Sequence, residues 1–230
     1  EPRVPMMAGI YIIGSLAVVA AHWRQLPNVF GMIIREAFLP RAAVAGGVGA
    51  AIRWGVSRGV FSNEAGLGSA PIAHAAAEAE PGAQGLFGVF EVFLDTVVLC
   101  TLTAVTILVS GVYVPYGEGA GAELASDALA SVFGSWAPGL LALCLSLLAL
   151  ATLISWSLYG VRCAGYLFGK KGEVVYQIVY VLLILLGATM ELSVVWAFSD
   201  ICNGLMALPN LAALAVLLLR DRSGEMLRKR

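Results

Sequence analysis

Three groups of residues bring donors, acceptors or charges to spacings that chemistry can use. The first is the run Gly59-Val60-Phe61-Ser62-Asn63-Glu64-Ala65-Gly66-Leu67-Gly68-Ser69-Ala70-Pro71. Its three glycines and proline make a continuous helix costly, so backbone N–H and C=O groups can turn toward a ligand. Helix ends at such a break favour a carboxylate, while freed carbonyls and hydroxyls suit Na⁺. A close helix–helix packing seam would use the same small residues. A phosphate loop is not expected, because neither GxGxxG nor GxxxxGK[ST] occurs.

The second group is Glu91 and Asp95, four residues apart and therefore on one helical face. They could conduct or sense cations, or pair with an arginine such as Arg53 or Arg58. Intramembrane aspartyl chemistry would need a second, facing aspartate, and Asp200 reads as lying at a segment boundary. The third group is Thr152 and Trp156, again on one face, with Ser155 beside them and Tyr159 below. A hydroxyl and an indole converging on a cavity can hydrogen-bond a small ligand and wall off its side chain; a packed tryptophan satisfied by a neighbouring helix fits the same spacing. His74 and Glu78 have i, i+4 spacing, but two ligands make a poor metal site and HExxH is missing, so a satisfied histidine is expected. Asn203 and Asn210 flank Pro209, which reads as a kink. Cys100, Cys144, Cys163 and Cys202 lie in or beside apolar runs without CxxC spacing, and read as buried thiols.

The elements that position these groups are membrane helices. Of the 230 residues, 60% are hydrophobic and only 13% charged, with mean hydropathy +0.87. Soluble domains carry roughly 45–50% apolar and about 25% charged residues. The net charge of −1 offers nothing to a nucleic acid. A membrane helix needs about 20 apolar residues, and the pattern predicts spans at about 5–21, 86–114, 138–160, 174–198 and 201–219. His22-Trp23-Arg24 reads as an interfacial anchor rather than the end of a signal peptide. The 161–173 loop carries Arg162, Lys170 and Lys171, and the tail carries Arg220, Arg222, Arg228, Lys229 and Arg230; Glu118, Glu123 and Asp127 mark the 115–137 loop. The positive-inside rule therefore puts the basic loop and the C-terminal tail in the cytoplasm and the acidic loop outside.

Alternation then requires a return through the membrane between Trp23 and Leu86. Only the Gly/Ala-rich stretch at 44–79 can supply it. It is expected as a broken, membrane-depth helix, after an amphipathic external segment from Pro27 to Pro40. Irregular backbone at that depth is tolerated only where it is buried in protein or lines an aqueous cavity, and secondary transporters place their sites on such unwound helices.

The run from Arg58 through Pro71 into Ile72-Ala73-His74-Ala75-Ala76-Ala77 resembles the signature of the alanine or glycine:cation symporter family. The similarity continues in Gln84-Gly85, in Glu91-Val92-Phe93-Leu94-Asp95-Thr96, in Cys100-Thr101-Leu102-Thr103-Ala104 and in the run from Asp200 to Leu211. It covers nearly the whole chain. The resemblance implies an all-α integral membrane protein with a leucine-transporter-like fold, two five-helix repeats inverted in the membrane. This chain would supply the last helix of the first repeat and all of the second, with upstream helices missing; its start at Glu1 without methionine fits that expectation. The resemblance further implies symport of alanine, glycine or a similar small amino acid, with Na⁺ as coupling ion (H⁺ in some relatives), across the plasma (inner) membrane. Thr152 and Trp156 match positions it assigns to the substrate pocket. Phe61, Ser62, Asn63 and Gly66 are expected to line the pocket at the helix break. A membrane-embedded enzyme lacks a convergent nucleophile–base or metal set, and a non-transporting scaffold is the other alternative.

Overall fold

A computed structural model of the protein describes residues 3–38, 47–114 and 121–222. Pro40, the start of the Gly/Ala stretch before residue 47, Glu118 and the tail residues Arg228, Lys229 and Arg230 fall outside them. The described residues form helices joined by turns, without strands. The helices are α1 (Arg3–Ala21), α2 (Leu26–Phe38), α3 (Gly47–Asn63), α4 (Ala70–His74), α5 (Pro81–Phe93), α6 (Cys100–Ser110), α7 (Glu123–Phe133), α8 (Ala137–Gly187) and α9 (Leu192–Arg222). Among the described residues, Pro81–Ser110, Ala137–Gly187 and Leu192–Arg220 are each long and apolar enough to cross a membrane. Met6–Ala21 and Trp23–Glu36 form a further such pair, bent by 71°. The bend falls at the His22-Trp23-Arg24 anchor, where a 3₁₀ turn (Trp23–Gln25) intervenes and the His22 ring bonds back to the Val18 carbonyl at 3.0 Å.

Several boundaries differ from the sequence pattern for identifiable reasons. The 161–173 segment, expected as a loop, is helical apart from Gly169, whose φ of 67° and ψ of −165° suit glycine almost alone and divide α8 in two. The last turn between helices falls at 188–191, not at 199–200. Asp200 looked like a polar boundary, yet it sits inside α9 because Arg58 neutralises it there. The acidic 115–137 segment contains α7, which buries Ala128 and Leu129. Between α5 and α6 the chain widens into a π-helical turn, Leu94–Leu99, which holds Asp95.

The chain divides into two compact units, Glu1–Arg53 with Phe93–Ser155, and Trp54–Val92 with Trp156–Arg230. In the first, Val18, Val29, Val105, Val109, Leu129, Ala137 and Leu141 form the buried core. Small residues let its helices close in: a Cβ on Gly14 would lie 3.3 Å from the Leu129 side chain. Tyr11 and Thr103 hydroxyls meet at 2.7 Å, and the Thr103 hydroxyl donates to the Leu99 carbonyl one turn before it at 2.9 Å. Polar side chains in this core thus satisfy backbone acceptors that lipid cannot. In the second unit, α9 packs against α3 and the segment after it. Within α8 the Tyr176 ring lies directly against Gly160, in space a Cβ would need.

Candidate helix-break site

The helix break exists and lies where glycine spacing places it. α3 ends at Asn63, and α4 begins only at Ala70. Between them Glu64 adopts φ 56°, Gly66 φ 83° and Gly68 φ 88°, three left-handed residues in five positions. Glycine accepts that conformation freely, while Glu64 needs support from its surroundings. The support is visible: the Ser69 hydroxyl donates to the Glu64 carboxylate, and Ser69 is 2% exposed. The Asn63 side-chain oxygen accepts from the Ala65 N–H at 2.9 Å, capping the end of α3 locally. Leu67, at 3% exposure, pins the loop inward. After the break, α4 is a five-residue helix with Pro71 near its start, where a missing N–H costs nothing.

Helix α9 grips both α3 and the break. Upstream, Asp200 accepts from the Ser57 hydroxyl and the Arg58 guanidinium, each at 3.0 Å. The Arg58 guanidinium also lies 3.9 Å from the Trp196 ring centroid and 5.2 Å from that of Trp54. Phe61 meets Trp196 edge-on, with centroids 4.8 Å apart. At the break, the Asn210 amide donates to the Gly66 carbonyl at 2.9 Å. Arg58 therefore partners Asp200, and not Glu91 or Asp95, for which it was one candidate partner. Glu91 instead lies 3.4 Å from His74 Nε2, while His74 Nδ1 is 2.5 Å from the Gln84 amide. His74 is a satisfied side chain, as its isolated pairing with Glu78 suggested, and no cluster of metal-ligating residues occurs among those described.

The six residues singled out from sequence fall into two groups. Phe61, Ser62, Asn63 and Gly66 follow one another into the break. Phe61 and Ser62 are exposed, while Asn63 and Gly66 are half-buried. Thr152 and Trp156 stand one turn apart on α8. The Thr152 hydroxyl donates to the Leu148 carbonyl at 3.0 Å. That bond uses its hydrogen but leaves lone pairs, so Thr152 can accept from an ammonium group without rearranging. Trp156 is half-buried, with its ring edge-on to Tyr159 at 5.9 Å. Thr152 belongs to the first compact unit and the other five residues to the second. Asp95 keeps one carboxylate oxygen buried with no hydrogen-bond partner among the described residues. Sequence reasoning missed Asn210 and Asp200 as partners of the broken helix. The available signal was their polarity within an otherwise apolar segment.

The model of the sodium:alanine symporter family matches residues 1–224. The chain is 43% identical to the sodium/alanine symporter AgcS of Methanococcus maripaludis over 220 residues, covering 93% of this chain and 48% of that protein. It is 40% identical to the probable sodium/glutamine symporter GlnT of Bacillus subtilis over 219 residues, 94% of this chain and 46% of that one. It is 34% identical to YrbD of the same bacterium, a putative sodium/proton-dependent alanine carrier protein, over 93% of this chain and 48% of that protein. The chain thus spans about half the length of the curated relatives it matches.

Proposed function

Because the chain belongs to the sodium:alanine symporter family, we propose that it forms part of a sodium-coupled symporter for alanine, glycine or a similar small neutral amino acid. The observation that carries this reading is the interruption at 64–69 in a Gly/Ala-rich helical segment of a multi-pass membrane protein. Broken helices expose backbone dipoles to a ligand without charged side chains, which suits a zwitterion that must be released again. On this reading the substrate carboxylate sits at the break, beside Phe61, Ser62, Asn63 and Gly66. The Thr152 hydroxyl accepts from the substrate ammonium, and Trp156 bounds the side-chain pocket. Both alanine and glutamine occur in the relatives' names, so pocket size is the variable that would set cargo.

Transport would proceed by alternating access in a leucine-transporter-like inverted-repeat fold, in the plasma membrane, with the C-terminal tail cytoplasmic. The spans would be Pro81–Ser110, the two parts of Ala137–Gly187 on either side of Gly169, and Leu192–Arg220, with a broken one at 44–79. Upstream helices would complete the site and contribute ligands for Na⁺. No covalent step is required, and binding energy differences between outward and inward states do the work.

Cysteine protection tests the site directly. In a background with Cys100, Cys144, Cys163 and Cys202 replaced by serine, Ser62→Cys and Thr152→Cys are introduced singly into the chain extended by its upstream helices. Alanine in the presence of Na⁺ is expected to slow alkylation at both positions, and Na⁺ without alanine to do so less. Labelling rates at both positions that ignore alanine would remove the break and α8 from the substrate site.

A further inference from the structure

We propose that Asn210, on α9, is a positioning residue for the substrate site: its side-chain amide holds the broken segment in its ligand-ready shape. The role rests on the symporter reading above and adds to it a residue that touches the break rather than the cargo. The amide donates to the Gly66 carbonyl at 2.9 Å. Its oxygen approaches Gly68 so closely that a Cβ there would stand 3.1 Å away. The neighbouring Leu211 covers Gly66 from the same side, with its methyl 3.7 Å from where a Cβ would be. Both glycines are left-handed, at φ 83° and 88°. The contact therefore falls on the stretch where regular helical hydrogen bonding lapses. A carbonyl freed by a break must find a partner at membrane depth, and Asn210 supplies it. With that carbonyl satisfied and turned toward α9, the remaining groups of the break keep a fixed direction. Without it, the Gly66 carbonyl is free to rotate toward the ligand space, where it would repel a carboxylate.

Two features separate this role from general packing. Asp200 anchors α3 ten residues earlier on α9, roughly 15 Å along the axis. Loss of the Asn210 contact thus leaves α3 tethered and changes the break alone. Pro209 precedes Asn210 within α9 and lacks the N–H that would bond to residue 205. The helix is locally deformable where it holds the break, so the grip can shift as the site alternates.

Two measurements test the role, on the protein extended by its upstream helices. The first is hydrogen–deuterium exchange across residues 64–69 in detergent, which needs no transport. Asn210→Ala should speed exchange there about 3- to 10-fold, the equivalent of one net hydrogen bond, and leave residues 47–58 unchanged. The second is alanine uptake in proteoliposomes, where KM should rise about 3- to 10-fold with maximal rate within about twofold. Asn210→Gln, which keeps the donor, should recover part of the KM. Should the alanine variant not fold, Asn210→Leu preserves bulk without a donor and should show the same exchange and KM shifts. Unaltered exchange at 64–69, or a wild-type KM in both donor-less variants while uptake persists, would overturn the role and leave the symporter reading standing. Absence of sodium-driven uptake in the unsubstituted protein would instead refute the symporter reading, and this role with it.

Discussion

Asp200→Asn probes the tether between α3 and α9 at its charged centre. The aspartate accepts two hydrogen bonds at 3.0 Å, one from a hydroxyl and one from a guanidinium. Hydrogen bonds to charged groups contribute about 1.5–3 kcal/mol each. The Arg58 and Asp200 side chains are 30% and 38% exposed, so the lower end of that range applies. Removal of the carboxylate also leaves a cation at membrane depth, a cost of about 2.5–3.5 kcal/mol at a helix centre. Trp196, 3.9 Å from the guanidinium, offsets roughly 1–2 kcal/mol of it. Asparagine keeps one acceptor oxygen, so one of the two bonds is lost and Asp200→Asn should destabilise the protein by about 2–4 kcal/mol. A double-mutant cycle with Arg58→Gln isolates the pair. Equilibrium unfolding in mixed micelles, followed by far-ultraviolet circular dichroism, should give a coupling of about 1–2 kcal/mol, the double variant being less damaged than the sum of the singles. Additivity within about 0.3–0.5 kcal/mol would show that the pair does not hold α9 to α3.

Two further outcomes follow from the same packing. Gly160→Ala inserts a methyl group where Tyr176 already lies and should cost about 1–3 kcal/mol, with Tyr176→Ala in the same chain restoring much of it; equal stability of Gly160→Ala and the unsubstituted protein by thermal unfolding would deny that contact. Trp156→Ala should widen the amino-acid range toward larger side chains, or abolish uptake, in competition assays against labelled alanine. Unchanged selectivity would take Trp156 out of the pocket wall.

What was legible in the sequence was the chemistry that backbone geometry imposes. Left-handed positions favour glycine, and Gly66 and Gly68 mark the break in the sequence itself. Apolar length likewise announced all-helical membrane segments. Partnerships across the fold were far less visible. Glu91, four residues before Asp95, looked placed to pair with an arginine, but Arg58 belongs to Asp200, more than a hundred positions away in sequence. Asp200 looked like a boundary because hydropathy averages cannot see that a charge is neutralised by a neighbour. Asn210 looked like the companion of a proline kink, because nothing local indicates that its amide meets the Gly66 carbonyl. The π turn at Leu94–Leu99 was equally hidden, since its residues are those of an ordinary membrane helix. Long-range polar pairing is where local pattern ends.

The most direct test of the account is uptake of labelled alanine and glycine into proteoliposomes, with and without an inward Na⁺ gradient. The chain alone and the chain joined to the upstream helices proposed above would be compared. Accumulation that depends on the Na⁺ gradient is expected in the extended protein, and none in the chain by itself. Folded, reconstituted extended protein that accumulates neither amino acid under the gradient would contradict it.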